Sequence, residues 1–374
     1  MDPHSLAAPP NPLGYPTPFW FIELFKVLGF SLHVAPMNLW YAGTIVAVLL
    51  GAFGRGHAKT VGNHIARALP FALAFGINFG VIPLLFMQVA YYQYFYPATV
   101  LMAWPWFMVF WIVMVGYFCV YLYHLATENR GPARFGRYAG WLSAGAFVVV
   151  GFVFANALSL TSAPGRWWGI FRGANVAGGA TGLAINWGDP TLVPRWLFMF
   201  SLAVLTTAVF IKLDAAYLTR RSDDDYRLYA SRFAFAMYSV GLLMFIGVGS
   251  WYIFGTRAFA FPRAMANPVM RVIFPLTMIS PGAPWLLLLI GVKSRARLWA
   301  GLAGIAQFGV IALNAVSRQW LQNVELGHYT DLAAKPVDLQ LSALIVFLVL
   351  FVIGVGLIVW MLSKAIEANR RAAA

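Results

Sequence analysis

The chain has 374 residues, 61% hydrophobic and 10% charged, where a soluble protein of this size carries about 25% charged residues. Its formal net charge is +14 and it has one cysteine, Cys119. This composition excludes a soluble globular enzyme, an internal disulfide and a cysteine-based zinc or iron–sulfur site. It reads instead as an all-α polytopic membrane protein.

Residues 1–18, MDPHSLAAPPNPLGYPTP, form a Pro-rich tail without the basic start of a signal peptide, and we expect it to be either ordered or floppy. A transmembrane domain over 19–365 follows, then a short tail over 366–374. Nine apolar segments lie near 21–52, 68–96, 100–126, 138–160, 194–216, 230–254, 268–290, 298–316 and 340–363. At about 1.5 Å per residue, segments of this length suit a hydrocarbon core roughly 30 Å thick.

The first segment contains VLGFSLHVAPMNLWYAGTIVAVLL, with Glu23 and Lys26 just before it, where water is expected to end. His33 then lies about two helical turns inside the boundary. An ionisable ring at that depth is a functional-site candidate, the alternative being a neutral imidazole bonded to a neighbouring helix. Met37, one turn on, shares the His33 face and cannot be an opposite axial ligand. We expect it to pack nearby.

Charge alternates between the connections. Arg55, Lys59 and Arg67 fill the first, and the second, YYQYFYPATV, has none. Arg130, Arg134 and Arg137 fill the third; Arg220, Arg221, Arg227 and Arg232 the fifth; Lys293, Arg295 and Arg297 the seventh. Lys364, Arg370 and Arg371 follow the ninth segment. The positive-inside rule places these in the cytoplasm, with the N-terminus outside and the C-terminus cytoplasmic. The basic excess is thus topological, and no nucleic-acid partner is expected.

The outer connection from Thr161 to Pro194 holds Trp167, Trp168 and Trp187, which suit an interfacial layer. The other outer connections are Gly255 to Asn267 and Ser317 to Leu339. Glu325, Asp331 and Asp338 in the last of these suit the docking of a periplasmic partner. His64 and His124 fall near inner helix ends, as a haem-holding pair or as ordinary interfacial histidines. Asp214, near Lys212, reads as an interfacial ion pair, with a proton relay as the alternative. No Ser/His/Asp, Cys/His or paired-carboxylate arrangement suits hydrolysis.

Seven stretches recur in a familiar order. His33 is followed by VAPMNL; then come FGINF (Phe75–Phe79), GVIPLLFMQVAYYQYFY, LMAWPWF, FANALSLTSAPG, VPRWLFMF and SRQW (Ser317–Trp320). Together they resemble subunit I of the cytochrome bd quinol oxidases, in a divergent bd-like branch associated with c-type cytochromes. The resemblance implies a fold of about nine transmembrane helices. It implies His33 as axial ligand to the iron of haem b, and Arg271 and Arg318 as two-pronged holders of haem propionates. The departures are specific. The family's fifth-helix histidine falls on Phe198 and its seventh-helix methionine on Ile273. The third-helix glutamate falls near Thr99, and the glutamate before the SRQW-like motif on Ala315. The charged quinol loop is replaced by YIFGTRAFAFPRAMANPV.

The expected function is that of a membrane subunit in a respiratory electron-transfer complex of a bacterial inner membrane. It would bind haem b and pass electrons between the quinone pool and a periplasmic c-type cytochrome or other redox partner, alongside other membrane subunits. The alternative is a haem-free scaffold. A complete quinol:oxygen oxidoreductase is disfavoured by the missing ligands.

Overall fold

The computed structural model describes residues 6–218, 224–293 and 297–371; His4, Arg220, Arg221 and Arg295 fall outside them. The chain is an all-α, multi-pass membrane protein. Among the described residues, eight helical stretches are long and apolar enough to cross a bilayer. A ninth helix carries a shorter apolar run, Leu341–Leu357.

In chain order, α1 (Phe19–Asn38) passes through a π turn, Leu39–Gly43, into α2 (Thr44–Phe53), and the two form one span. Pro36, which lacks an N–H to donate four residues back, lies in the last turn of α1 before the widened turn. α3 (His57–Ala90) returns, α4 (Tyr92–Leu101) is short, and α5 (Ala103–Thr127) and α6 (Ala133–Ser162) are the next two spans. A small helix α7 (Trp167–Gly173) and a two-residue hairpin, Asn175–Val176 with Gly179–Ala180, precede α8 (Leu192–Leu213). α9 (Asp224–Ser250) ends in a second π turn, Trp251–Gly255, and α10 (Ala260–Ala266) follows. The seventh span is broken into α11 (Met270–Ile279) and α12 (Gly282–Ile290) at Pro281, before α13 (Arg297–Leu326) and α14 (Leu341–Arg371).

Several expected boundaries move. α3 begins at His57, so Lys59 and Arg67 are helical and only Gly54–Gly56 remains as connection. Arg67 can stay in the helix because its guanidinium reaches Glu128 at 3.3 Å on the surface. YYQYFYPATV is largely the helix α4 rather than a loop. α13 runs ten residues past the expected end near 316, which puts Arg318 and Glu325 in a helix, not a loop. α14 passes 365 without a break.

One face carries the tail and the long connections; the other carries the Arg- and Lys-rich ones. We call them the tail face and the basic face. The core is a cluster around Trp40, Tyr41, Ile65, Leu69, Leu73 and Phe147. α1 is central, packing against α3, α8 and α13.

The described tail residues are ordered. Tyr15 is buried, its hydroxyl donates to the Ala90 carbonyl at 3.1 Å, and its backbone pairs with the last long connection. The Tyr15 N–H donates to the Pro336 carbonyl at 2.8 Å, and the Asp338 and Gln340 N–H groups donate back to Tyr15 and Pro16 at 2.9 and 3.0 Å. Trp167 corrects the interfacial expectation. It is 0% exposed and its indole donates to the Leu160 carbonyl at 2.7 Å, whereas Trp187 is 66% exposed.

Candidate functional site

His33 sits on the α1 face that meets α3. Its Nδ1–H donates to the Gly76 carbonyl at 2.7 Å. That carbonyl has no proton to give, which fixes the tautomer and leaves Nε2 with its lone pair. The approach requires glycine. A β-carbon at Gly80 would lie 2.8 Å from His33 Cε1, and one at Gly76 would lie 2.6 Å from Trp40 Nε1. Two glycines one turn apart on α3 thus make a notch for two α1 rings.

Arg318, on α13, lies one turn of α1 nearer the tail face. Its guanidinium stacks over the Phe30 ring at 4.2 Å and is an electrostatic neighbour of His33. Among the described residues it has neither a carboxylate nor a hydrogen-bond acceptor as partner. It lines a cavity of about 160 Å³ whose other walls include Phe30, Phe198, Tyr252, Phe274 and Arg195. Arg195 Nη2 donates to the Thr191 hydroxyl at 3.2 Å, while its Nε has no partner. Arg257, beyond Tyr252, is paired: its Nε donates to Glu325 at 2.5 Å, and it lies 4.4 Å from the Tyr252 ring centre. Burial works against the charge on Arg257, but Tyr252 and Glu325 outweigh it and raise the guanidinium pKa.

Behind this cavity the tail face is held by two polar networks. In the first, Asn323 and Gln319 on α13 donate to Glu23 on α1, the latter at 3.3 Å. Gln319 also donates to the Tyr91 hydroxyl at 2.5 Å, which donates to Asn323 Oδ1 at 2.5 Å. Lys26 corrects the expected water boundary. It is 8% exposed, donates to Gln322 at 3.0 Å and lies 3.9 Å from the Tyr91 ring centre. In the second network Asp189 accepts from the Ser159 hydroxyl, from the Thr191 N–H at 2.9 Å and from the Thr191 hydroxyl at 2.8 Å. Burial alone would raise the Asp189 carboxyl, but those hydrogen bonds and Arg195 hold it below its ordinary value.

Arg271 is exposed on α11 and does not line the cavity, so the structure brings together His33 and Arg318 but not Arg271. Phe198 packs 4.6 Å from the Phe245 ring, and Ile273 is in an apolar cluster, so neither position offers a ligand atom. Among the described residues no group of three or more His, Cys, Asp or Glu is placed to hold a metal ion.

The donor set suits the carboxylate arms and iron of a haem. An imidazole whose Nδ1–H is committed to a backbone carbonyl is oriented as metal-binding histidines are. Two guanidinium groups, one without an acceptor, face an aromatic-walled cavity. The space is smaller than the group. About 160 Å³ falls below roughly 300 Å³, the low end for cofactor clefts, and His33 is not on its wall.

At the basic face the expected pairings change. His64 does not turn to His124; its Nδ1 is 2.7 Å from Asp214 Oδ2, and the Tyr226 hydroxyl is 3.0 Å from the same nitrogen. Asp214 is not paired with Lys212, because residues two apart point to different sides of a helix. Lys212 is buried and donates to the Ser231 hydroxyl at 2.7 Å and the Gly291 carbonyl at 2.8 Å. His64 and Asp214 line a second cavity, of about 870 Å³, bounded by α1, α3, α8 and α13. Sequence reading missed this cavity and both tail-face networks. The one available signal was polar residues recurring at helical spacing in α13, Gln319, Gln322 and Asn323.

No family model matches the chain, and no curated protein is significantly similar to it.

Proposed function

We propose that this chain is a bd-like membrane subunit of a respiratory electron-transfer complex in a bacterial inner membrane. In this reading it holds a haem b and works between the quinone pool and a c-type cytochrome or other periplasmic redox protein. The observation that carries the reading is Arg318. An arginine within a membrane span is costly without a counter-charge, and this one has none among the described residues. An anionic ligand in the aromatic cavity supplies it. In this reading His33 would offer its Nε2 lone pair to iron, with Gly76 holding the imidazole in the required tautomer, and Arg318 with Arg195 would hold the carboxylate arms. The surrounding phenylalanines keep water away. A bound haem would supply one-electron transfer.

A second reading, a haem-free scaffold that anchors a larger complex, is favoured by the size of the cavity, since a macrocycle enters only if the walls rearrange. Reduced-minus-oxidised spectra of the purified full chain, loaded with haem, separate the two. The first reading expects a Soret and α-band pair that His33→Ala abolishes and Arg318→Gln weakens. A wild-type chain that takes up no haem sinks it and leaves the scaffold.

A further inference from the structure

The cavity beside Arg318 changes character from end to end. Arg195 lies in the first turn of α8 and Arg318 two turns before the end of α13, so both stand toward the tail face. Leu202 on α8 and Ile311 on α13 line the other end, about 10 Å deeper by helical rise. There Asn38 turns its amide N–H to Thr206 at 2.8 Å and leaves its Oδ1 without a partner, an acceptor that an anion avoids. A charged end near the tail face and an apolar end deeper in the bundle follow the order of a lipid in that half of a bilayer.

The charge around the cavity leaves room for one monoanion. Among the described residues, three guanidiniums, those of Arg195, Arg257 and Arg318, gather at the Tyr252 end. Two carboxylates face them. Glu325 accepts from Arg257, and Asp189, which collects the Ser159 and Thr191 donors, lies in the field of Arg195. Lys26, the next cation, is offset by Glu23. One positive charge is left over among the described residues, and a phosphate dianion would overshoot it. Size narrows the choice again. About 160 Å³ is close to the roughly 150 Å³ that takes a benzene-sized guest. The space seats a carboxylate and the first carbons of one chain, but not the glycerol and two chains of a phospholipid. Ile246 on α9 is on the wall and is 53% exposed, and Ser250, one turn on, is exposed as well. The α9 side is therefore open to lipid.

We infer that this cavity binds a free fatty acid drawn from the bilayer, its carboxylate on the forks of Arg318 and Arg195 and its chain leaving past Ile246. A planar carboxylate matches a guanidinium fork, and the aromatic and aliphatic walls suit the first carbons of the chain. The inference goes beyond the haem reading, because the acid group it places on Arg318 belongs to a single-chain lipid that the space admits as it stands. Haem and fatty acid would compete for Arg318.

The test is equilibrium binding of radiolabelled palmitate to the full chain in phosphatidylcholine nanodiscs, corrected for palmitate held by empty discs. Wild type binds saturably. Arg318→Gln and Arg195→Gln each weaken binding by at least about tenfold, the scale of one lost charge-assisted hydrogen bond. Ile246→Trp, at an exposed position and with both arginines in place, weakens it about tenfold by closing the mouth. His64→Gln, in the other cavity, stays within about twofold of wild type. Octanoate displaces palmitate, and acetate at the same concentration does not. No saturable binding in wild type, or unchanged binding in Arg318→Gln or Ile246→Trp, would overturn the assignment. Displacement by acetate would reduce the site to one for any small anion, and loss of palmitate binding in phosphatidylglycerol discs would give it to a lipid phosphate; either result overturns the fatty-acid assignment. Haem content is measured on the same samples. A haem-free chain that binds palmitate upholds this inference while the haem reading fails, and a chain that takes up haem but binds no palmitate before loading does the reverse.

Discussion

At the tail face, Glu23 on α1, Tyr91 at the bend between α3 and α4, and Gln319 and Asn323 on α13 share one network, and Asp189 collects three donors beside it. At the basic face the connections are short, and one histidine–carboxylate–tyrosine cluster stands at the edge of a wide apolar groove. The first region spends its polar residues on one another; the second turns a few of them toward space. A buried polar group is costly unless bonded, so dense mutual satisfaction marks a place built to stay put. Polar groups on the wall of an open cavity mark a place built to receive something. Arg318 departs from the pattern, a cation with no carboxylate or hydrogen-bond acceptor among the described residues, and so does Arg195 across the same cavity, whose Nε has no partner.

The largest change that would break the contrast is Glu325→Ala. It strands the buried Arg257 guanidinium, and we expect a loss of about 3–5 kcal/mol, read as a lowered thermal midpoint in detergent. If the midpoint holds, the tail face is not carried by its ion pairs. Next is Asp189→Asn, expected to cost about 1–3 kcal/mol because the Ser159 and Thr191 donors lose a charged acceptor. The pH sign follows from the lowered Asp189 pKa. Its contribution is complete above the carboxyl's unfolded value and fades as pH falls through the lower folded one. Wild type and the variant should therefore converge in acid, and a gap that persists there would assign the effect to packing.

Arg318→Met should act in the opposite direction. In ligand-free protein it removes a cation with no counter-charge among the described residues, and we expect about 1–2 kcal/mol of added stability; under the proposed haem reading the variant would also take up less haem. Destabilisation would mean that Arg318 is satisfied by the bundle itself. The smallest effect is Tyr15→Phe, which deletes the hydrogen bond to the Ala90 carbonyl at a cost of about 1 kcal/mol. Faster proteolysis of the tail at unchanged thermal midpoint would confine that bond to a local role.

The class of fold was legible because hydropathy is local. Each span is a run of apolar neighbours, and the alternating basic clusters order the connections. The ends of the helices were less legible, for a specific reason. Hydropathy fades after Ala315, yet α13 continues, because Gln319, Gln322 and Asn323 find partners on α1 and near Tyr91 that no local window contains. Lys26 was misplaced at the water boundary for the same reason: its partner, Gln322, is far away in sequence. At the candidate site His33 stood out by its depth alone, while its tautomer depends on Gly76 and its neighbour Arg318 comes from α13. The groove could not have been read at all. His64 and Asp214 are each unremarkable in their own segments, and only the packing of four helices places them on one wall.

The strap formed by Tyr15 and the Pro336–Gln340 stretch bears on how the molecule is made. During synthesis the tail emerges before the bundle it packs on, but the carbonyl and N–H groups it lies against belong to a segment translated after α13. Until the ribosome has passed that segment, Tyr15 has no backbone to pair with and remains open to proteases and to quality-control factors. Closure of the strap thus becomes possible only after α13 has been made, with α14 still to follow.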